Sequence, residues 1–141
     1  TRPDSLDKQV VWGLYTYKND EEEIDIEFSR WGIDNNHEAQ YVIQPSYKPG
    51  NKARFRTDLD GSYSTHLFEW SKKRIDFASY HGHRKEPVSE NQIIARWSYF
   101  GADNPPDSDE RLKMNLWLFR GTPPSDGREA EVIIDHVEIL N

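Results

Sequence analysis

The sequence predicts an all-β protein, an antiparallel β-sandwich of two packed sheets, on three observations. Apolar and polar residues alternate with period two along almost the whole 141-residue chain, and no segment reads at helical period with caps. Clusters of Gly, Pro, Asn and Asp, the residues that tight turns need, separate the alternating runs. Eighteen aromatics within an apolar share of 35% put large side chains on both faces of several runs, as two packed sheets require.

Taken in order, residues 10–17 set Val10, Trp12 and Leu14 on one side against Gly13, Tyr15 and Tyr17 on the other. Residues 22–28 alternate most strictly, with Ile24, Ile26 and Phe28 facing one way and Glu23, Asp25 and Glu27 the other. Residues 39–44 and 54–57 are shorter runs parted by Lys48-Pro49-Gly50-Asn51. Residues 65–70 and 74–80 lie between the turn sequences Asp58-Leu59-Asp60-Gly61 and His81-Gly82-His83. Residues 93–99, 111–119 and 130–140 complete the strand set, with exposed Pro/Asp loops expected at 101–109 and 121–127. Within 111–119, Leu112, Met114, Leu116 and Leu118 are expected to face the core, which puts Asn115 and Trp117 on the polar side. No linker, repeat or low-complexity tail interrupts the pattern, so residues 1–141 read as a single domain or part of one. The opening Thr1-Arg2-Pro3 lacks a methionine, which fits a processed product or a piece of a longer chain.

Charge and composition narrow the function. A net charge of −7 without a cluster of Lys and Arg disfavours binding to a phosphate backbone, so no nucleic-acid partner is expected. No apolar run approaches the ~18 residues of a membrane span and no signal peptide is visible, so no membrane partner is expected either. The absence of cysteine excludes disulfides, thiolate chemistry and Cys-type zinc sites. No G-x-S-x-G elbow, phosphate-cradling Gly loop or H-E-x-x-H occurs. His81-Gly82-His83 has the composition of a metal pair, but an exposed turn explains it more simply.

The informative segment is Glu23-Ile24-Asp25-Ile26-Glu27. Three acids on one strand face repel one another, and folding does not ask for them. One reading is a solvated face or a charged edge strand that discourages pairing. Another is a cation site, with Asp20, Glu21 and Glu22 close in sequence. The third is glycoside hydrolysis, in which one carboxylate attacks, one carboxylic acid protonates the leaving group, and a third acid separates their protonation states. The i and i+4 positions of a strand lie about 13 Å apart at Cα, whereas a retaining pair needs its carboxyls ~5–5.5 Å apart. Long Glu side chains leaning inward close much of that gap.

Glu23-Ile24-Asp25-Ile26-Glu27-Phe28 resembles the signature of glycoside hydrolase family 16, the β-glucanase group with a concanavalin A-like jelly roll. Five further segments are similar in order: Leu14-Tyr15-Thr16-Tyr17, Thr65-His66-Leu67-Phe68-Glu69-Trp70, Arg74-Ile75-Asp76-Phe77 with Gly82, Met114-Asn115-Leu116-Trp117, and Ile134-Asp135-His136-Val137. The likeness runs from about residue 10 to 140, and the uninterrupted acidic signature is similar to that of the licheninase and xyloglucan-active branch.

The resemblance implies a retaining endo-acting hydrolase of a β-glucan-type polysaccharide, with Glu23 as nucleophile, Glu27 as general acid/base and Asp25 as their electrostatic partner. It further implies that Tyr17, Gln40, Asn115 and Trp117 line the substrate cleft, Trp117 as a ring for a sugar to stack on. No cofactor is expected for catalysis. Structural calcium is left open, because Asp135 matches a position that binds it in some relatives. Location outside the cell or on its surface follows from the likeness alone. The family domain has several strands ahead of the point matching Thr1, so the chain is expected to be its C-terminal part or a reduced relative, completed by missing N-terminal strands or by a second chain. Residues 28–40 make a longer loop than usual, and Val42 and Ile43 stand where relatives carry polar or aromatic cleft residues. Trp31 in that loop reads either as a sugar platform or as cover for Phe28. The alternative functions are a carbohydrate-binding jelly roll without chemistry and a structural or interaction domain in which the acids are a relic.

Overall fold

The computed structural model describes residues 2–87 and 89–140. Its strands are β1 (Val10–Asn19), β2 (Glu22–Phe28), β3 (Ala39–Ile43), β4 (Lys52–Phe55), β5 (Ser64–Ser71), β6 (Arg74–His81), β7 (Ile93–Tyr99) and β8 (Arg111–Leu118). Among the described residues, helix is confined to 3₁₀ turns at Pro3–Ser5, Glu90–Gln92 and Phe119–Gly121. A five-stranded sheet runs β4-β3-β2-β1-β8 and a three-stranded sheet runs β5-β6-β7, with every pairing antiparallel. The fold is an all-β sandwich, as the alternation predicts.

Local chemistry sets the turns. Between β1 and β2, the Asn19 side-chain oxygen accepts from the backbone N–H of Glu21 at 2.9 Å and of Glu22 at 3.0 Å, which closes the hairpin. Between β5 and β6, the Ser71 hydroxyl donates to the Arg74 carbonyl at 2.9 Å. After β3, the Asn51 carbonyl accepts from the Ile43 N–H at 2.8 Å and brings β4 back alongside.

The core lies between the sheets and is built from rings. Tyr41 on β3 stacks on Phe77 of β6 with centroids 4.7 Å apart, and Phe77 stacks in turn on Trp97 of β7 at 5.3 Å. Trp12 stacks on Phe28 at 4.6 Å, and Phe28 meets His66 of β5 edge-on at 4.7 Å. Ile24, Ile43 and Ile75 fill the space around them, fully buried. A polar chain crosses the same interface. The Tyr41 hydroxyl donates to Ser79 Oγ at 2.6 Å, while His66 contacts Ser79 at 2.7 Å and Ser64 at 2.8 Å through its two ring nitrogens. Both nitrogens are therefore satisfied, and burial pushes the His66 pKa down to about 3, so it serves the core as a neutral imidazole.

Two expectations need correction. Leu112, Met114, Leu116 and Leu118 do occupy the inward-facing positions of β8, but they are 37–45% exposed. β8 is the edge of the larger sheet, and the smaller sheet, only three strands wide, packs over its middle. Residues 130–140 form no strand, because their alternation finds no partner backbone. Ala130 and Val132 pack against the core, His83 approaches Asp135 at 3.6 Å, an ion pair joins Glu138 to Lys85 at 2.6 Å, and Ile133, Ile139 and Leu140 stay largely exposed. Period two describes two faces, whereas a strand also needs a hydrogen-bonded neighbour.

The contrast between middle and edge can be measured. Phe77→Ala should cost about 3–5 kcal/mol in urea denaturation, as expected for a ring removed from a filled core. Leu116→Ala should cost less than about 1 kcal/mol, because a side chain already in water loses little on truncation. Equal losses at the two positions would contradict the exposed edge.

Candidate active site

The acids lie on the outer face of the five-stranded sheet, turned away from the core. β2 is the middle strand, and its alternation fixes their direction: Ile24, Ile26 and Phe28 are buried inward, so Glu23, Asp25 and Glu27 point outward. Strand register then assembles the face row by row. Glu27 has Gln40 on one side and Gly13 on the other, with Asn115 beyond Gly13. Asp25 lies between Val42 and Tyr15, with Lys113 beyond Tyr15. Glu23 pairs with Tyr17, and Arg111 follows. Trp117 pairs with Val11 one row past Asn115 on the same face. Register thus brings all seven residues singled out in the sequence onto one surface.

The three carboxyls differ in environment. Asp25 is only 2% exposed, and burial raises its pKa far above the carboxylate range. A hydrogen bond with Glu23 and the charges of Glu27 and Glu23 add to the rise, while a hydrogen bond from Gln44 opposes it. Asp25 is therefore a carboxylic acid at neutral pH and a donor to its neighbour. Burial also raises the Glu27 pKa, against the hydrogen bond from Gln40 and the positive charges of Lys52 and Arg54. Gln40 holds Glu27 by donating from Nε2 to Oε2 at 2.7 Å. Glu23 is half-buried.

Around the acids stands a ring of polar and aromatic groups. Tyr15 and Tyr17 meet edge-on at 6.4 Å, the Tyr17 hydroxyl donates to Asp20 at 3.0 Å, and the Lys113 ammonium sits 3.9 Å from the Tyr17 ring centre. Burial raises the Tyr15 pKa, and the charges of Glu23 and Asp25 reinforce it. Gly13 makes room for Asn115, since a Cβ at residue 13 would stand 2.6 Å from the Asn115 side-chain oxygen. At the far end Trp31 packs edge-on against Trp117 at 6.3 Å and against Phe119 at 5.6 Å. Phe28 is covered by Trp12 and His66, so Trp31 belongs to the aromatic end of the acid-bearing sheet.

Sequence reasoning missed Tyr15, Gln44 and the basic residues Lys52, Arg54, Arg111 and Lys113. Each has the parity of an outward-facing residue, but only the register shows that its strand lies near β2. His81 and His83 do not converge on one site: His81 contacts Asp60 at 3.1 Å and His83 contacts Asp135. Among the described residues, no three His, Asp or Glu side chains gather closely enough to hold a metal ion.

The shifted protonation of Asp25 has a stability consequence. The folded state keeps a proton that the unfolded state releases above about pH 4, so stability falls as pH rises from there toward the folded pKa. Asp25→Asn, which removes the titration but keeps a donor, should therefore raise the thermal midpoint at pH 7–8 and leave it almost unchanged near pH 3. A lower midpoint at neutral pH would mean that Asp25 is ionised in the fold.

Compared with family models, curated proteins and solved structures, the chain finds no match.

Proposed function

We propose that the chain carries the catalytic face of a retaining endo-glycosidase acting on a β-glucan-type polysaccharide. The observation that carries the reading is the arrangement along β2, where a buried acid, Asp25, separates two longer carboxyls with different partners, Glu27 held by Gln40 with its pKa raised by burial and Glu23 paired with Tyr17. Double displacement needs such a division of labour between a group that attacks as an anion and a group that enters the reaction with its proton.

In this mechanism Glu23 attacks the anomeric carbon while Asp25, hydrogen-bonded to it, steadies its charge. Glu27, its pKa raised by burial and its carboxyl held by Gln40, gives its proton to the departing glycosidic oxygen. Glu27, now ionised, takes a proton from the incoming water, which displaces Glu23 from the sugar and leaves the anomeric configuration as it began. The residues flanking the acids suit a polyhydroxylated chain. Asn115 and Tyr17 offer polar contacts, and Trp117, 40% exposed beside Trp31, offers a ring face to a sugar. Secretion or display at the cell surface belongs to the same proposal, since polysaccharide of this kind is met outside the cell. Calcium is assigned no residues here.

Three variants test the reading on soluble mixed-linkage β-glucan and xyloglucan. Glu23→Ala should abolish turnover, because no covalent intermediate can form, and azide should restore cleavage of an activated substrate to give a product of inverted configuration. Glu27→Ala should still cleave substrates whose leaving group needs no proton. Trp117→Ala should weaken binding by about 1–2 kcal/mol, the scale of one stacked ring. A wild-type chain that binds such a glucan through Trp117 but releases no reducing sugar would be a carbohydrate-binding module.

A further inference from the structure

Gln44 follows the last residue of β3 and continues its outward parity after Gln40 and Val42. Three hydrogen bonds fix it. Its backbone N–H donates to the Glu23 carbonyl at 3.1 Å, its side-chain Oε1 accepts from the Ser46 N–H at 2.8 Å, and its Nε2 donates to Asp25 Oδ2 at 3.1 Å. The Ser46 contact determines which end of the amide faces Asp25. A backbone N–H can only donate, so it takes the amide oxygen and leaves the NH₂ group for Asp25. In a protonated carboxyl the carbonyl oxygen is the better acceptor, so an N–H pointing at Oδ2 favours the proton on Oδ1.

We propose that Gln44 is a positioning residue: by occupying Oδ2 of Asp25 it places the carboxyl's proton on Oδ1 and reserves that proton for the hydrogen bond with Glu23. This rests on the glycosidase reading for its catalytic meaning, though not for its geometry. The other groups facing Asp25 do not do this work. Glu23 and Glu27 are acids on its own strand, and Tyr15 and Tyr17 stand on β1. Lys52 and Arg54 on β4, and Arg111 and Lys113 on β8, each lie two strands from β2. The smaller sheet packs on the opposite face. Without Gln44 the carboxyl is free to turn, and Glu23 loses a donor of fixed direction.

The test uses the whole chain with ¹³C-labelled carboxyls. Gln44→Leu removes the donor, and Gln44→Glu keeps the length and the acceptor for Ser46. In both, the Asp25 carboxyl should titrate about one pH unit higher than in wild type, because a donor that favours its ionised form is gone. With an activated aryl glucan oligosaccharide, kcat should fall about tenfold, KM should stay within about twofold, and the acid limb of kcat/KM should move to higher pH by about one unit. Should Gln44→Leu fail to fold, Gln44→Glu supplies both readouts with the same direction of change. An Asp25 titration unmoved in a folded variant, or lost activity with the acid limb in place, would overturn the proposal. A wild type without turnover whose Asp25 titration nevertheless responds to Gln44→Leu would sink the glycosidase reading and leave the positioning role standing.

Discussion

A carboxyl group taken out of water at the centre of a sheet is expensive in its charged form, and Asp25 is such a group. Two remedies exist: a counter-charge in contact, or a proton. Among the described residues, none forms an ion pair with Asp25. The fold surrounds Asp25 with Val42, Tyr15, Gln44 and the flanking acids, and the proton follows. Once Asp25 is neutral it can donate, and the repulsion that three aligned carboxylates would generate becomes a hydrogen bond between two of them. The acidic strand is tolerable because one of its acids does not ionise.

That arrangement depends on β2 being held firmly from below. The residues alternating with the acids, Ile24, Ile26 and Phe28, are at most 3% exposed. Phe28 is clamped between Trp12 of its own sheet and His66 of the other. Packing at this density leaves little freedom for the backbone that carries Glu23, Asp25 and Glu27. The same economy explains Gly13. A side chain there would push Asn115 away from the row it shares with Glu27, so the neighbouring strand gives up a side chain where the face needs space.

The two faces of each strand were legible in the sequence because side-chain direction is a property of a single strand. Glu23, Asp25, Glu27, Asn115 and Trp117 share a face on parity alone once β2 and β8 are known to belong to one sheet. Neighbourhood is not a single-strand property. Nothing in Gln44 or Lys113 announces that its strand lies beside, or one strand removed from, the acids, and register had to supply it. The leucines of β8 failed as core residues for a related reason: their direction was right, but the opposing sheet does not reach them. Residues 130–140 have alternation without a partner. Trp31 was ambiguous because a loop residue carries no parity, and here its φ of +54° and the following Gly32 at +76° place it in a tight reversal that local composition alone does not orient.

The basic rows on β4 and β8 raise the question of why they do not simply ionise the acids. Two strands of separation put them about 10 Å away at the backbone, and through solvent a pair of unit charges at that distance interacts by only about 0.4 kcal/mol. Lys52, Arg54, Arg111 and Lys113 are exposed, so solvent is the medium that counts for them. The desolvation of a buried carboxylate is worth several kcal/mol even after relaxation. Burial therefore sets the direction in which the Asp25 and Glu27 pKa values move, and the basic rows act on a different scale. They lower the net negative potential across the face, Lys113 from its place over the Tyr17 ring. A neutral, hydroxyl-rich ligand is compatible with such a surface, acidic along one strand and basic at both flanks, whereas a polyanion would meet the acids first and a polycation the flanks.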